Sequence, residues 1–417
     1  MKAPAIAIML LFLFLPVAYG VDLGGSVANA SSITGSIPAE SSFLQQDLVS
    51  LWVDAAFGDY LRLALQGSYV FDLERPFFVD LDYLNFYGVG PLSFNVGRFR
   101  LSDFTSYVLS HTLDGGKVTV FLPFLTASVS VGFSGLVQRP VSTIAMSKTD
   151  ASKQADESVV WGSPRLVEMI EVMVPELFLR QDLKVTAIAQ QDLRKAENLA
   201  TDGGKLSSQY FGAGLSGPLF SPLFYSTYFY LGTGSYQQAS ILSFLAGGRL
   251  RLYLTEALFS RIELRGLFSS GDATHPEFYE GSSSEISRMF VAISPPFFGL
   301  VFNPKLGNIW LMSLNYSLKP FSRTKSRVMQ NFQSSIKSTA FFRSTAGAIS
   351  EEGIDPDSSS LYLGTSVDGR IGFRPLSDLG AAVVFGMFIP NGAAAGPFVE
   401  SSRSIEYLTR LELSISF

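Results

Sequence analysis

Ile405-Glu406-Tyr407-Leu408-Thr409-Arg410-Leu411-Glu412-Leu413-Ser414-Ile415-Ser416-Phe417 alternates with a period of two. Ile405, Tyr407, Thr409, Leu411, Leu413, Ile415 and Phe417 fall on one face, and Glu406, Arg410, Glu412, Ser414 and Ser416 on the other. Only a strand sorts side chains in this way. Tyr407 and Phe417 lie ten residues apart on the apolar face. At about 3.3 Å per residue and a tilt near 40°, that spans roughly 25 Å of a membrane normal, the height of the apolar band of a transmembrane barrel. The stretch alone also suits the edge of a soluble sandwich, so the rest of the chain decides.

The composition favours the barrel. Of 417 residues only 16% are charged, against a norm near 25%. Aromatics reach 13%, yet no internal apolar run is long enough for a spanning helix. Strands with one lipid-facing and one water-facing side dilute hydrophobicity in this manner. Without cysteine there is neither a lipid-accepting thiol nor a disulfide framework. A net charge of −5, with no basic helix and no zinc spacing, argues against a nucleic-acid binder.

At the start, Lys2, the apolar run Ala3 to Leu15 and the small residues of Ala18-Tyr19-Gly20 have the layout of an export signal. Residues 1–20 are expected to be cleaved, leaving 21–417 as a single barrel domain.

Alternation then recurs along the chain. Leu61, Leu63, Leu65, Tyr69 and Phe71 alternate with Arg62, Gln66 and Ser68, and Val79, Leu81 and Tyr83 with Asp80 and Asp82. Trp310, Met312, Leu314 and Tyr316 alternate with Ser313, Asn315 and Ser317. Tight links are expected at 57–59, 88–91, 123–124, 175–176, 217–218, 255–256, 303–304 and 375–378. Longer connections are expected between them, the first around 30–47, with extracellular loops near 139–163, 192–205, 271–285, 319–358 and 391–403. Short and long connections must alternate in an up-and-down barrel whose termini share one side. That parity closes at about eighteen strands, with sixteen or twenty as alternatives. It requires Phe104 to Leu109 to be loop, and a strand at Ser338 to Ser344 would raise the count.

Val96-Gly97-Arg98, then Asp103 and Ser110-His111-Thr112-Leu113-Asp114-Gly115, resemble large Gram-negative and spirochaete outer-membrane channels of the porin and alginate-export kind. Leu363-Gly364-Thr365-Ser366-Val367-Asp368 and Gly386-Met387-Phe388-Ile389-Pro390 are similar to a hairpin of those barrels. Those channels usually carry Glu where this chain has Ser366, and Gly directly after the proline where it has Asn391. The resemblance implies an all-β outer-membrane channel without assigning a cargo.

The expected function is passive diffusion of small hydrophilic solutes through a charged lumen. The alternative is a plugged structural or adhesive barrel that binds host or matrix molecules through its outer loops. Expected lumen residues are Arg62, Asp80, Asp82, Arg98, Arg249, Arg251, Arg261, Glu263, Arg265, Asp368, Arg370, Arg374 and Arg410. Arg98 shares the parity of Val96 and needs a bulge to turn inward. A three-residue link at 255–257 would pair Arg251 with Arg261 and Arg249 with Glu263, an arginine-rich patch that suits anions. An internal salt-bridge network is the plainer reading of the same residues. Tyr407, Leu411, Leu413, Ile415 and Phe417 are the expected assembly signal. The partners are outer-membrane lipid, periplasmic chaperones, the barrel-assembly machinery and the solutes themselves, and the oligomeric state is open. No cofactor is expected. His111 and His275 form no HExxH arrangement, and neighbours such as Ser110 and His111 point to opposite sides of a strand, so no catalytic site is expected.

Overall fold

The computed structural model describes residues 20–37, 41–72, 78–136, 144–156, 159, 161–195, 204–236, 239–275, 277–279, 285–399 and 404–417. Of the expected signal, only Gly20 falls within them.

Strands β1 (Gly20–Ile37), β2 (Ser41–Phe57), β3 (Leu61–Asp72), β4 (Phe78–Gly88), β5 (Leu92–Ser102) and β6 (Ser110–Leu122) run antiparallel. They are followed by β7 (Leu125–Ser134), helix α1 (Lys148–Ala155), β8 (Arg165–Phe178), β9 (Gln181–Asp192), β10 (Leu206–Phe220) and β11 (Leu223–Tyr236). The circuit continues with β12 (Ala239–Leu254), β13 (Ser260–Ser269), the two-residue β14 (Ile286–Ser287), β15 (Ile309–Leu318), β16 (Gln333–Arg343), β17 (Tyr362–Phe373), β18 (Leu379–Pro390) and β19 (Ile405–Ser416). β1 pairs with β2 on one side and with β19 on the other, from Ser26↔Ser416 to Ile37↔Ile405, so the sheet has no free edge. β14 lies parallel to β12, while β13 pairs directly with β15. Apart from β14, eighteen strands make the wall. No helix among the described residues is long and apolar enough to cross a membrane.

The outward face is apolar: Phe211, Phe229, Phe244, Leu264, Met312, Leu314, Ile371 and Leu411 are all exposed. A closed wall with its backbone paired and such an exterior belongs in a bilayer. Inside, the half nearest the terminal rim, where β1 and β19 meet, is polar. The opposite, distal half is filled by chain that folds in from its loops. Phe290, Ile293, Phe298, Phe302 and Leu306 pack there against Tyr230, Leu245, Leu267 and Phe341 of the wall. Each large apolar side chain removed from water contributes about 1.5–3 kcal/mol, so these segments are held as firmly as a soluble core.

Eighteen strands match the count read from the sequence, but the route to it differs. The segment 286–308 is not a hairpin about Asn303-Pro304. Apart from β14 it carries no ladder, and Pro295-Pro296 removes two donors that a strand would need. Conversely, 319–358 is not one loop. It holds β16, paired to β15 and β17, so 319–332 turns at the terminal rim and 344–361 at the distal one. One false strand, before Asn303-Pro304, and one missed strand, β16, cancelled.

Four further expectations shift. Ala30 to Ile37 and Ser41 to Asp47 extend β1 and β2 rather than forming a loop. The link expected at Pro175-Glu176 is a bulge, with Glu176 at φ +49°, and the turn is Leu179-Arg180, both at positive φ as a tight hairpin turn demands. Likewise, Pro218 sits at a register shift inside β10, and the turn follows Phe220. The segment around α1, expected in solvent, is tucked into the barrel mouth, with Ile144, Met146, Ser147 and Asp150 buried.

Candidate functional site: an arginine-lined constriction

Two infolded segments meet across the lumen. The β5–β6 connection, Asp103 to Leu109, is a compact loop wound about one carboxylate: Asp103 accepts from the amides of Thr105, Val108 and Leu109 and from the Tyr230 hydroxyl. Its partner is the β13–β15 connection. The Ser294 amide donates to the Val108 carbonyl at 3.0 Å, and the Ser110 amide donates to Ser294 Oγ at 2.7 Å. His111 Nδ1 lies 2.8 Å from the same hydroxyl. These bonds bolt the two segments together and set Tyr107 on the cavity of the open half of the lumen, with the buried Phe298 ring 6.2 Å behind it.

The wall facing Tyr107 is built on glycine. A Cβ at Gly247 would lie 2.2 Å from the Tyr228 hydroxyl, and one at Gly212 would lie 2.2 Å from the Tyr230 ring. Both tyrosines therefore lie flat across bare backbone, as aromatics do over strand glycines. Tyr228 in turn holds the Tyr107 ring at 5.4 Å between centroids.

Below this aromatic lip stand the arginines of β12 and β13. The turn between these strands spans 255–259, five residues rather than three, with Leu258 and Phe259 at positive φ. The register is Leu254↔Ser260, Tyr253↔Arg261, Arg251↔Glu263 and Arg249↔Arg265. It thus differs by two from the expected pairing, which changes partners and preserves faces. Arg249 Nε lies 3.3 Å and Arg251 Nε 3.0 Å from the two oxygens of Glu263. Arg265 donates to the Tyr107 hydroxyl at 3.1 Å and packs over the Phe298 ring at 5.6 Å. Arg261 takes part in no ion pair among the described residues. Four guanidiniums thus stand on the inward face of this hairpin with one carboxylate, which two of them contact, beside a cavity of about 240 Å³ that Tyr107, Tyr228, Arg249, Arg251 and Arg265 help to line.

Across the lumen, Lys337 Nζ lies 3.0 Å from Asp368 and donates to the Phe298 carbonyl at 2.7 Å, while Asp368 accepts from the Leu300 amide. Nearer the terminal rim, Arg370 is 2.6 Å from Glu412, and Arg410 is 3.9 Å from it. Arg374 faces the same cavity, of about 400 Å³, with Asn331, Gln333 and Ser414. Arg62 stands 4.0 Å from Asp54. Asp82 accepts from Gln66 and Ser68, and Asp80 pairs with Ser68 on the inward face.

Arg98 does not reach the lumen. No bulge turns it, and it keeps the outward parity of Val96. Its guanidinium lies in the wall, donating to both Asp114 oxygens at 2.9 Å and to the Leu81 carbonyl at 3.2 Å. There the β4–β5 ladder has stopped, at Leu84↔Arg98. Tyr407, Leu411, Leu413, Ile415 and Phe417 line the outward face of β19, and the Phe417 amide and carbonyl both bond to Gly25.

The constriction's aromatic members, Tyr107, Tyr228 and Phe298, were not singled out in the sequence. The signals available were Pro295-Pro296, which breaks any strand pattern, and Asp103 two residues before Thr105, the spacing of an Asx turn.

No family model matches the sequence, and no curated protein matches it. Solved structures do match over nearly the whole chain. OccK3 (OpdO) of Pseudomonas aeruginosa superposes with a TM-score of 0.61 over 98% of this chain and 99% of that one, at 14% identity. OccK2 (OpdF) of the same organism, solved in complex with glucuronate, gives 0.61 over 96% and 99%, at 10% identity. OccAB3 of Acinetobacter baumannii gives 0.59 over 95% and 99%, at 9% identity. The chain is thus similar in fold to the Occ outer-membrane porins, as a closed antiparallel barrel of eighteen strands.

Proposed function

We propose that this protein is an outer-membrane channel for small hydrophilic solutes and that its constriction favours anions. The observation that carries the reading is the group of Arg249, Arg251, Arg261 and Arg265 around the single carboxylate of Glu263, beside the cavity under Tyr107 and Phe298. Fixed guanidiniums in a narrow, partly desolvated passage replace the hydration of an entering anion and repel a cation. A small carboxylate such as a sugar acid suits them, since it can take paired N–H donors from one arginine. The glucuronate in the OccK2 (OpdF) structure is a molecule of that kind.

In this reading 1–20 is a cleaved signal, the terminal rim faces the periplasm, and the lumen residues given above line the solute path. The test is conductance. Purified protein in a planar bilayer should open in discrete steps, with a reversal potential in a salt gradient that favours chloride. Arg251→Glu with Arg261→Glu should move the permeability ratio toward cations by roughly tenfold, equivalent to about 1.4 kcal/mol. An unchanged reversal potential would sink the assignment to this cluster. Electrical silence of folded protein would instead favour a plugged barrel that works through its outer loops.

A further inference from the structure

The β15–β16 connection, 319–332, is long for the terminal rim, where the other links run from two to five residues. Its sequence, Lys319-Pro320-Phe321-Ser322-Arg323-Thr324-Lys325-Ser326-Arg327-Val328-Met329-Gln330-Asn331-Phe332, carries four cations and no carboxylate. All four are exposed, and none forms an ion pair among the described residues. Arg323 donates to the main-chain carbonyl of Glu256, so even its acidic neighbour does not neutralise it.

Register shows which way this loop leans. Ser334 pairs with Ile371 and Ile336 with Gly369, on the outward face where Ile336 and Ile371 are exposed. Phe332 and Phe373 continue that face, and their rings stack at 4.1 Å. Phe321 packs edge-on against Phe332 at 5.3 Å. The loop is therefore fastened to the lipid side of the wall by three aromatics, at the level where aromatic girdles of barrels mark the membrane interface. Val328 is exposed beside the cations.

We infer that Lys319, Arg323, Lys325 and Arg327 form a binding site for the phosphate headgroups of anionic phospholipids in the leaflet at the terminal rim. Cations at headgroup level attract such lipids additively, each by a factor of about five. An aromatic anchor on the lipid side fixes them at that level, whereas a loop leaning over the mouth would offer the same charge to solutes. The inference depends on the proposed channel function only for naming that leaflet the periplasmic one.

The experiment is native mass spectrometry of the full barrel released from nanodiscs that contain equal amounts of phosphatidylglycerol and phosphatidylethanolamine. The unaltered protein should retain phosphatidylglycerol preferentially. R323Q/K325Q/R327Q should lower that preference by roughly a hundredfold at low salt, and Phe321→Ser should lower it while leaving every charge in place. Equal retention of the two lipids, or full displacement of the bound lipid by inorganic phosphate, overturns the proposal, the latter because it would mark a site for free phosphate. Bilayer conductance of the triple variant is measured in parallel. A variant that still opens but has lost its lipid supports the site, and loss of conductance in the unaltered protein bears on the channel alone.

Discussion

Glu263 decides how positive the constriction is. It accepts from Arg251 and lies 3.3 Å from Arg249 Nε, and without it these two guanidiniums would face Arg261 and Arg265 uncompensated. Glu263→Gln keeps the shape and removes the charge. The variant should strengthen chloride selectivity roughly two- to fivefold, the scale of a partly exposed charge pair. Reversal potentials in a potassium chloride gradient measure it, and a weaker anion preference would show that the arginines are held elsewhere. The inward placement of these residues was legible from β12 and β13 because alternation fixes faces. Their pairing was not, because it depended on whether the turn held three residues or five, and a shift of two leaves the hydrophobic pattern unchanged.

At the scale of the element, α1 shows how a loop becomes part of the barrel. Ser147 caps the helix in a reciprocal box with Asp150, and Asp150 also takes the Arg165 guanidinium at 2.5 Å. Arg194 stands 3.8 Å from Asp150 and 2.6 Å from Asp192, all four side chains being buried. Burial pushes the Asp150 carboxyl up, but Arg165, the Ser163 hydroxyl, Arg194 and the Met146 amide together outweigh it and hold the group below the usual carboxylate range. A depressed carboxyl contributes its stability fully above about pH 4 and loses it as pH falls through the lowered value. Docking of α1 should thus be insensitive to pH near neutrality and fail in strong acid. Asp150→Asn leaves the buried Arg165 and Arg194 to share Asp192 alone, an uncompensated charge that costs about 3–5 kcal/mol. Limited proteolysis should then cut around α1 while the wall strands stay protected, and an uncut segment would mean that the apolar contacts of Ile144 and Met146 suffice. The stretch near 139–163 reads as an extracellular loop because charge density alone does not reveal that two arginines, at 165 and 194, come from outside α1 to meet Asp150.

For the whole molecule, closure rests on β1 and β19. Twelve residue pairs join them, and at the terminal rim Gly25 and Phe417 exchange two hydrogen bonds of 2.9 and 3.0 Å. Deleting Phe417 removes both bonds and an outward aromatic that is 73% exposed. Export should continue, while the fraction of heat-modifiable folded barrel in the outer membrane falls severalfold. Unchanged heat-modifiable barrel would remove Phe417 from the assembly signal. The closed wall was legible from β19 outward because every lipid-facing strand obeys one period. What filled the lumen was not, since Phe290 to Leu306 meets no periodic constraint and is positioned by tertiary contacts such as Ser294 with Val108.

The seam between β4 and β5 remains. Along a ladder the seal is main chain, the same whatever side chains stand on it, so inheritance can vary the residues and keep the wall. Beyond Leu84 that seal is the guanidinium of Arg98, bound to Asp114 and to the Leu81 carbonyl. There the integrity of the wall is written in single codons, and a conservative substitution that any ladder position would tolerate is enough to undo it.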